Sequence, residues 1–475
     1  MNSDSLFLNL YKLTLDKWKI NNNSESIFSL ALEIDTSSVL DSLEVFSLQN
    51  DFLFLWDKNK ELSFSSAGKC QYLICQSDEK FNLARRFTDR IFSNLIDCSF
   101  NSPEFSLPKI IYSCSFGDDS AEIALINNAV PSLQAFLPTW IFLTNGNSSW
   151  LRMNVKISNE YLLRKSVEEI CIMHNKLNGF KKDNTYKNIQ FINNHKFPSD
   201  LFSQNRLSIE KGIDLVNKGL LIKLVLAIRY SFNINGKFNI FGFLKHLQSS
   251  HPNSFRFLLQ TNKFDSFLGA SPERLFSIRK KNLLVDALAG TAHHSQDVPK
   301  KIRTKKNLRE HKLVVSAIVD VLKKFKVNFT YPEAPIVANF GDLFHLYTPI
   351  RVKNNELSPF DLLATLHPTP AVAGYPRDSS LKWISALEDF DRGNYSGPIG
   401  WIDIKGDSDF IVALRSLRVI NNQFEFTAGA GLVKGSESKD ELDEIKLKLL
   451  SLINQIEPFI HEEDKSSLER RDSII

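Results

Sequence analysis

Lys223 stands inside the apolar run Leu221-Ile-Lys-Leu-Val-Leu-Ala-Ile228, where a lysine is costly unless it is paired or kept neutral. Neutral, it can accept a proton; the plainer alternative is a packed stem whose head reaches water or a carboxylate. Glu273 lies in Leu268-Gly-Ala-Ser-Pro-Glu-Arg-Leu275, a Gly/Ser/Pro turn able to present a carboxyl into a cleft, where poor solvation keeps its proton on. An ion pair with Arg274 is its plainer alternative. Glu310 follows a basic run (Lys300, Lys301, Arg303, Lys305, Lys306, Arg309) that by itself reads as a solvated face, and an early carboxylate also offsets a helix dipole. Glu441, Glu444 and Lys448 recur about one helical turn apart, so local ion pairing is the default for them. A magnesium ion would change that reading, because hard cations take a few carboxylates together with substrate oxygens and water. Arg415, in Phe410-Ile-Val-Ala-Leu-Arg-Ser416, suits bidentate capture of a carboxylate. The glycine turns expected at Ala289-Gly-Thr291 and Ala428-Gly-Ala-Gly431 can bring backbone N–H groups close to an anion. Together these groups describe a pocket for a small carboxylated molecule. His345 and His367 are each more often core histidines, and neither has metal-ligand spacing to a second histidine.

These residues need elements to carry them. Ser208 is expected to cap a helix with apolar positions Ile209, Ile213, Val216 and Leu220, ending near Gly219. A strand over Leu221 to Phe232 follows, buried on both faces although one face holds Lys223. Further strands are expected at Phe267 to Ala270, Leu275 to Ile278, Leu283 to Ala289, Gly397 to Asp403, Phe410 to Val419 and Gln423 to Ala430. Helical patterns fall at Lys306 to Lys324, Pro359 to Thr365, Ser380 to Phe390 and Lys439 to Ile456. Many adjacent strands mixed with helices favour an α+β architecture of antiparallel sheets. There is no GxGxxG after a strand and no Walker A loop. Before residue 180, strand-like Tyr72 to Cys75 and Trp140 to Leu143 and a helix over Glu160 to Leu177 carry no catalytic cluster. The polar, basic stretch Gly179 to Gln204 reads as a surface connection, and His461 to Ile475 as a loose charged tail.

The 475 residues carry 58 Lys+Arg against 54 Asp+Glu, a net +4 too small over this length to imply nucleic acid. Thirty-seven phenylalanines foretell a phenylalanine-rich core. The five cysteines, Cys70, Cys75, Cys98, Cys114 and Cys171, are odd in number and read as reduced, buried thiols. The N-terminus lacks a signal-peptide pattern and no apolar stretch is long and unbroken enough to span a bilayer, so a cytoplasmic protein without membrane attachment is expected.

In order along the chain, KLVLAIR, FLGASPERLF, ALAGTA, EHKLVV, HLYT, LHPTPAVAGYPR, RGNYSGPIGW, VALRS, AGAGLV and ELDEIKLK resemble the chorismate-utilising enzymes. That family includes isochorismate synthases, salicylate synthases and the large subunits of anthranilate and aminodeoxychorismate synthases. The likeness runs from about Leu207 to Leu449. It implies one large α+β domain over 1–475, a two-layer sandwich of antiparallel β-sheets flanked by helices, as in the anthranilate synthase large subunit. Within it, 1–205 is divergent, 207–458 is the chorismate-binding catalytic part and 461–475 the tail. LHPTPAV, Leu366 to Val372, is similar to isochorismate synthases, whereas ammonia-using relatives carry a different segment and a lysine where Arg377 stands. The resemblance therefore implies magnesium-dependent isomerisation of chorismate to isochorismate, for menaquinone or phylloquinone synthesis, without a glutaminase partner. Lys223 would deprotonate a water attacking C2 and Glu273 would protonate the hydroxyl leaving C4. Glu310 and Glu444, with Glu441 close by, would hold Mg²⁺ against the ring carboxylate. Tyr395, Arg415, Lys448, Gly290, Thr291 and His345 would line the substrate pocket, and Gly429 and Gly431 would offer backbone donors. Ile228, inserted before Arg229, and Asn394, where tryptophan is common, depart from the family pattern. A salicylate synthase is the alternative; an aminating subunit and a non-catalytic binding module are more remote.

Overall fold

The computed structural model describes residues 3–21, 25–35, 38–117, 130–180, 201–234, 236–293, 302–340, 343–354 and 356–462. Residues 181–200 of the expected surface connection, Lys300 and Lys301 of the basic run, and the tail from 463 lie outside the described residues. Twenty strands join in one hydrogen-bonded network, and among the described residues every pairing is antiparallel except Ile27–Glu33 with Leu95–Cys98.

The long strand Leu133–Asn145 is where two sheets diverge. Its first half pairs with Lys109–Cys114, its second half with Ser148–Lys156, and Ser63–Cys75 runs along its other edge. One sheet continues through Leu53–Asp57, Phe255–Asn262, Asp265–Ser271, Ser416–Ile420, Gln423–Val433 and Lys223–Asn233. The other runs from Lys109–Cys114 through Pro398–Asp403, Ser408–Val412, Arg274–Arg279, Asn282–His293 and Leu343–Val352. Alternation puts one face of each into a shared core: Phe54, Trp56, Phe64, Phe257 and Phe267 meet Ile111, Ile399, Trp401 and Ile411. The sandwich expected from the sequence is therefore present, with phenylalanine at its centre, and strands from the N-terminal 205 residues pair directly with strands of residues 207–458 in both sheets.

Helices Val39–Ser47, Leu201–Asn217, Lys305–Lys324 and Ser438–Ile456 cover the outer faces. The second of these begins at Leu201, so Ser208 lies inside it instead of capping it, and Gly219 beyond its end adopts φ +75°. This helix packs close enough that a Cβ on Gly212 would stand 2.6 Å from Leu432 Cδ1. The cavity-lining helix Ile240–Ser250, capped by Asn239, was not expected from the sequence.

One expected strand and one expected turn are also corrected. Phe410 to Val419 is two strands, Ser408–Val412 and Ser416–Ile420, belonging to different sheets and separated by Arg415 at φ +48°. Ala428 to Gly431 is no turn but part of the strand Gln423–Val433. No disulfide joins the five cysteines, Cys98 and Cys114 buried and the rest half-buried; burial pushes the thiols of Cys70 and Cys98 up to about 12. Among the described residues no helix is long and apolar enough to cross a membrane.

Candidate active site

The chain crosses from one sheet to the other at Pro272-Glu273 and again at Ala413-Leu-Arg415, and the two crossings are tied together. Val412 N donates to Glu273 O at 3.0 Å, and Ala270 N donates to Arg415 O at 3.2 Å. A crossing leaves the ladder, so its side chains are free to point into the gap between sheets; this is why Glu273 and Arg415 share one cavity of about 210 Å³. Lys223, Gly290, Glu310, His345, Tyr395, Gly429, Gly431, Glu444 and Lys448 line the same space.

Glu273 is 4% exposed. Burial pushes its carboxyl up to about 8, with the charge of Lys223 and a hydrogen bond from Thr369 Oγ1 at 3.4 Å opposing the rise. The acid is thus protonated at neutral pH, as expected, and no ion pair with Arg274 forms; Arg274 turns to Asp409 and Glu61 instead. Lys223 is 1% exposed and donates to Glu310 Oε1 at 2.6 Å. The lysine therefore meets a carboxylate in this structure, where the sequence reading had it as a neutral amine.

Glu310 reaches the cavity from the second turn of Lys305–Lys324, a helix capped by Thr304. On Ser438–Ile456, burial of Glu441, Ile445, Leu449 and Leu452 sets one stripe against the sheet, which leaves Glu444 and Lys448 on the neighbouring stripe facing the cavity. They pair at 2.8 Å, and Lys448 Nζ also donates to Gly429 O at 2.8 Å. The charge of Lys448 holds Glu444 below the usual carboxylate range. Desolvation acts to lower the pKa of Lys448, but Glu444 outweighs it and the net shift is upward. Glu441 is placed differently from expectation: it is buried outside the cavity lining and accepts from Lys306 Nζ at 2.7 Å, and it is Lys306 that lines the cavity.

The remaining residues form the walls. Val225 and Ala227 spend their N–H groups on Ala373 O and Glu388. They oppose Gly431 and Gly429 as non-hydrogen-bonded pairs, so the polar groups of both glycines point away from the Lys223 strand. Gly290 sits at a β-bulge between Ala289 and Thr291 with φ +76°, a conformation that glycine adopts without penalty. The Thr291 side chain lies outside the described residues; its backbone pairs with His345. Arg415 donates from Nη2 to His345 Nε2 at 2.8 Å and from Nη1 to Phe340 O. Desolvation, helped by Arg415 and Lys448, keeps His345 neutral, far below its ordinary range. Burial raises the Tyr395 phenol against the pull of Arg392 and Lys448.

His367 is a core histidine, accepting no role in the cavity, with Nε2 3.3 Å from Phe116 O. Arg229 stacks on Phe390 away from the cavity, and Asn394 donates to Ser113 Oγ at 2.9 Å. Sequence reasoning missed Phe243 and Leu247 of Ile240–Ser250 and His251 at its C-terminal cap, which line the cavity. The apolar Ile240-Phe-Gly-Phe-Leu directly after the capping residue Asn239 was the available signal.

Glycine at 431 is required by proximity. An added Cβ would lie 2.9 Å from both Glu310 Oε1 and Lys223 Cε. Gly431→Ala should therefore push the Lys223–Glu310 pair apart and lower kcat/KM by roughly 10- to 100-fold, with a melting temperature close to that of the parent chain; unchanged turnover would contradict the packing described.

The family profile described as chorismate binding enzyme matches residues 13–457. The chain is 37% identical over 252 residues to the salicylate biosynthesis isochorismate synthase of Pseudomonas aeruginosa, covering 51% of this chain and 52% of that protein. It is 30% identical over 259 residues to the vibriobactin-specific isochorismate synthase of Vibrio cholerae, covering 53% and 66%. The matched region thus spans half to two thirds of these relatives. In structure it is similar to MenF, the menaquinone-specific isochorismate synthase of Escherichia coli (TM-score 0.73, 23% identity, 94% of this chain and 100% of that one). Anthranilate synthase component I of Streptococcus pneumoniae shares the fold at a TM-score of 0.66 and 19% identity, over 82% and 92%. A cavity built of paired lysines and glutamates where two sheets exchange strands, and a family match over nearly the whole length, lead to one conclusion: the chain belongs to the chorismate-binding enzymes.

Proposed function

We propose that the protein is an isochorismate synthase, converting chorismate to isochorismate by adding water at C2 and expelling the C4 hydroxyl. The observation that carries the reading is the placement of Lys223 and of Glu273, a carboxyl that burial keeps protonated, in one cavity that also presents Arg415 and Lys448. Lys223, after surrendering to solvent the proton it shares with Glu310, takes a proton from the attacking water as the C2–O bond forms, and Glu273 gives its proton to the departing C4 oxygen, which leaves as water. Both ring double bonds shift, C1=C2 to C1=C6 and C5=C6 to C4=C5, and the water gained at C2 balances the water lost from C4, so the product has the substrate's composition. Arg415, fixed by His345, and Lys448 bind substrate carboxylates. LHPTPAV, which supplies Ala371 and Val372 to the wall, supports hydroxyl exchange over amination.

The donor set fits a magnesium ion, a hard cation that prefers carboxylate oxygens. Among the described residues no cluster of three or more ligands is already assembled; each carboxylate, Glu310, Glu444 and Glu441, faces a lysine. Glu310 and Glu444 would hold the ion, which would supply positive charge to neutralise the ring carboxylate and polarise the diene.

Incubation of the pure protein with chorismate and Mg²⁺, with chromatography of the products, tests the reading. Isochorismate should accumulate; salicylate without added lyase would make it a salicylate synthase, and an ammonia-dependent product would make it an aminating subunit. The reaction needs Glu273 protonated, so kcat/KM should fall about tenfold per pH unit above about 8. An activity flat from pH 7 to 10 would remove Glu273 from the mechanism. The quinone route remains our proposal for the consumer of the product, in the cytoplasm. Cells without the protein should lose menaquinone or phylloquinone; loss of a siderophore or salicylate instead would reassign it.

A further inference from the structure

Three lysines face three glutamates around the cavity at 2.6, 2.7 and 2.8 Å. Two of these six charges, Lys306 and Glu441, have no part in the mechanism above. Glu441 is 1% exposed, and a buried carboxylate without a partner is strongly unfavourable. Lys306 supplies that partner while itself standing at the cavity wall, its side chain 44% exposed. Its charge reaches further than Glu441: Glu444 and Glu310 also lie within its field.

We infer that Lys306 is an internal counter-ion that sets divalent-cation affinity: it neutralises Glu441 and places a positive charge beside Glu310 and Glu444, so that a metal ion binds against it. The inference rests on the assignment of Glu310 and Glu444 as metal-holding residues. Its sign does not depend on whether Glu441 itself touches the ion. If Glu441 is a ligand, Lys306 competes for it; if it is not, removal of Lys306 leaves a bare negative charge nearby. Either way the ion is held more tightly once the lysine is gone. Lys306 is part-exposed and therefore screened, so the expected effect is modest, roughly three- to tenfold in Kd.

The test is Mn²⁺ binding to the full-length protein, read by electron paramagnetic resonance of free Mn²⁺ without chorismate. Lys306→Met should lower Kd by roughly three- to tenfold, and Lys306→Arg, which keeps the charge, should stay close to the parent. Since Lys306→Met strands a buried carboxylate and can unfold the chain, the comparison is repeated in the Glu441→Gln background. Glu441→Gln alone should bind Mn²⁺ more weakly than the parent, and adding Lys306→Met should recover the loss. Unchanged or weaker binding on removal of Lys306 in either background overturns the inference while leaving the metal assignment intact. A parent protein that binds no Mn²⁺, in parallel with Glu310→Gln and Glu444→Gln, brings down the metal assignment and this inference together.

Discussion

Glu273→Gln should lower kcat/KM for chorismate by about 10³-fold, within the roughly 10²–10⁴ that a positioned acid supplies, and leave the fold intact. The native carboxyl is neutral at pH 7, its pKa pushed up to about 8 by burial. Glutamine therefore keeps the shape, the neutrality and the hydrogen bond from Thr369, and lacks only the transferable proton. The sign of the stability effect follows from the same shift. A carboxyl whose folded pKa lies above its unfolded value loses folding stability as pH rises from about 4.5 to about 8. Glutamine does not titrate, so the variant should melt no lower than the parent at pH 8. Chorismate should still raise its melting temperature, because Arg415 and Lys448 are untouched. Turnover within tenfold of the parent would show that the proton for the C4 oxygen comes from elsewhere.

Replacing Lys223 separates a chemical role from an electrostatic one. Lys223→Met removes the base and should cost about 10³-fold or more in kcat/KM. It also leaves Glu310 without the cation now 2.6 Å away, in a pair whose side chains are 1% and 16% exposed. Breaking such a pair costs about 3 kcal/mol, so the melting temperature should drop, and Mg²⁺ should restore part of the loss by giving Glu310 a new counter-charge. Lys223→Arg keeps a cation for Glu310 but holds its proton permanently. It should be nearly as stable as the parent and as inactive as the methionine variant. An active arginine variant would exclude proton abstraction by residue 223 and leave it a purely ionic role.

Asp286 shows how far the acid's environment extends beyond the cavity. Burial pushes it up to about 6, against the pull of Arg274 and a hydrogen bond from Tyr347, and its charge adds to the rise at Glu273. Arg274, the residue after Glu273, pairs with Asp409 at 3.1 Å and is also drawn by the charge of Asp286.

Much of this was legible in the residue order because it is local. The Lys305–Lys324 and Ser438–Ile456 helices differ by one residue at most from their periodic patterns, since a buried stripe at i, i+4 and a polar remainder have no other regular solution. Lys223 and Glu273 announced themselves as charged groups in apolar or turn surroundings, a conflict visible without coordinates. Motif order gave the family. What the residue order left open was everything that depends on partners distant along the chain. Phe410 to Val419 looks like one strand because most of its residues are apolar; only the pull of two separate sheets bends it at Arg415. Ala428 to Gly431 looks like a turn because glycine favours turns, yet here the close approach of Lys223 and Glu310 excludes a side chain from a strand. Glu441 and Glu444 read alike by their one-turn spacing, as local ion pairs, but adjacent stripes of a helix face different neighbours: Glu441 turns inward to Lys306, and Glu444 lines the cavity with Lys448. Composition and periodicity determine which segments are buried and what chemistry they carry. Which charge meets which is decided by tertiary packing, because an ion pair is a matter of a few ångströms between residues that are 87 and 135 positions apart.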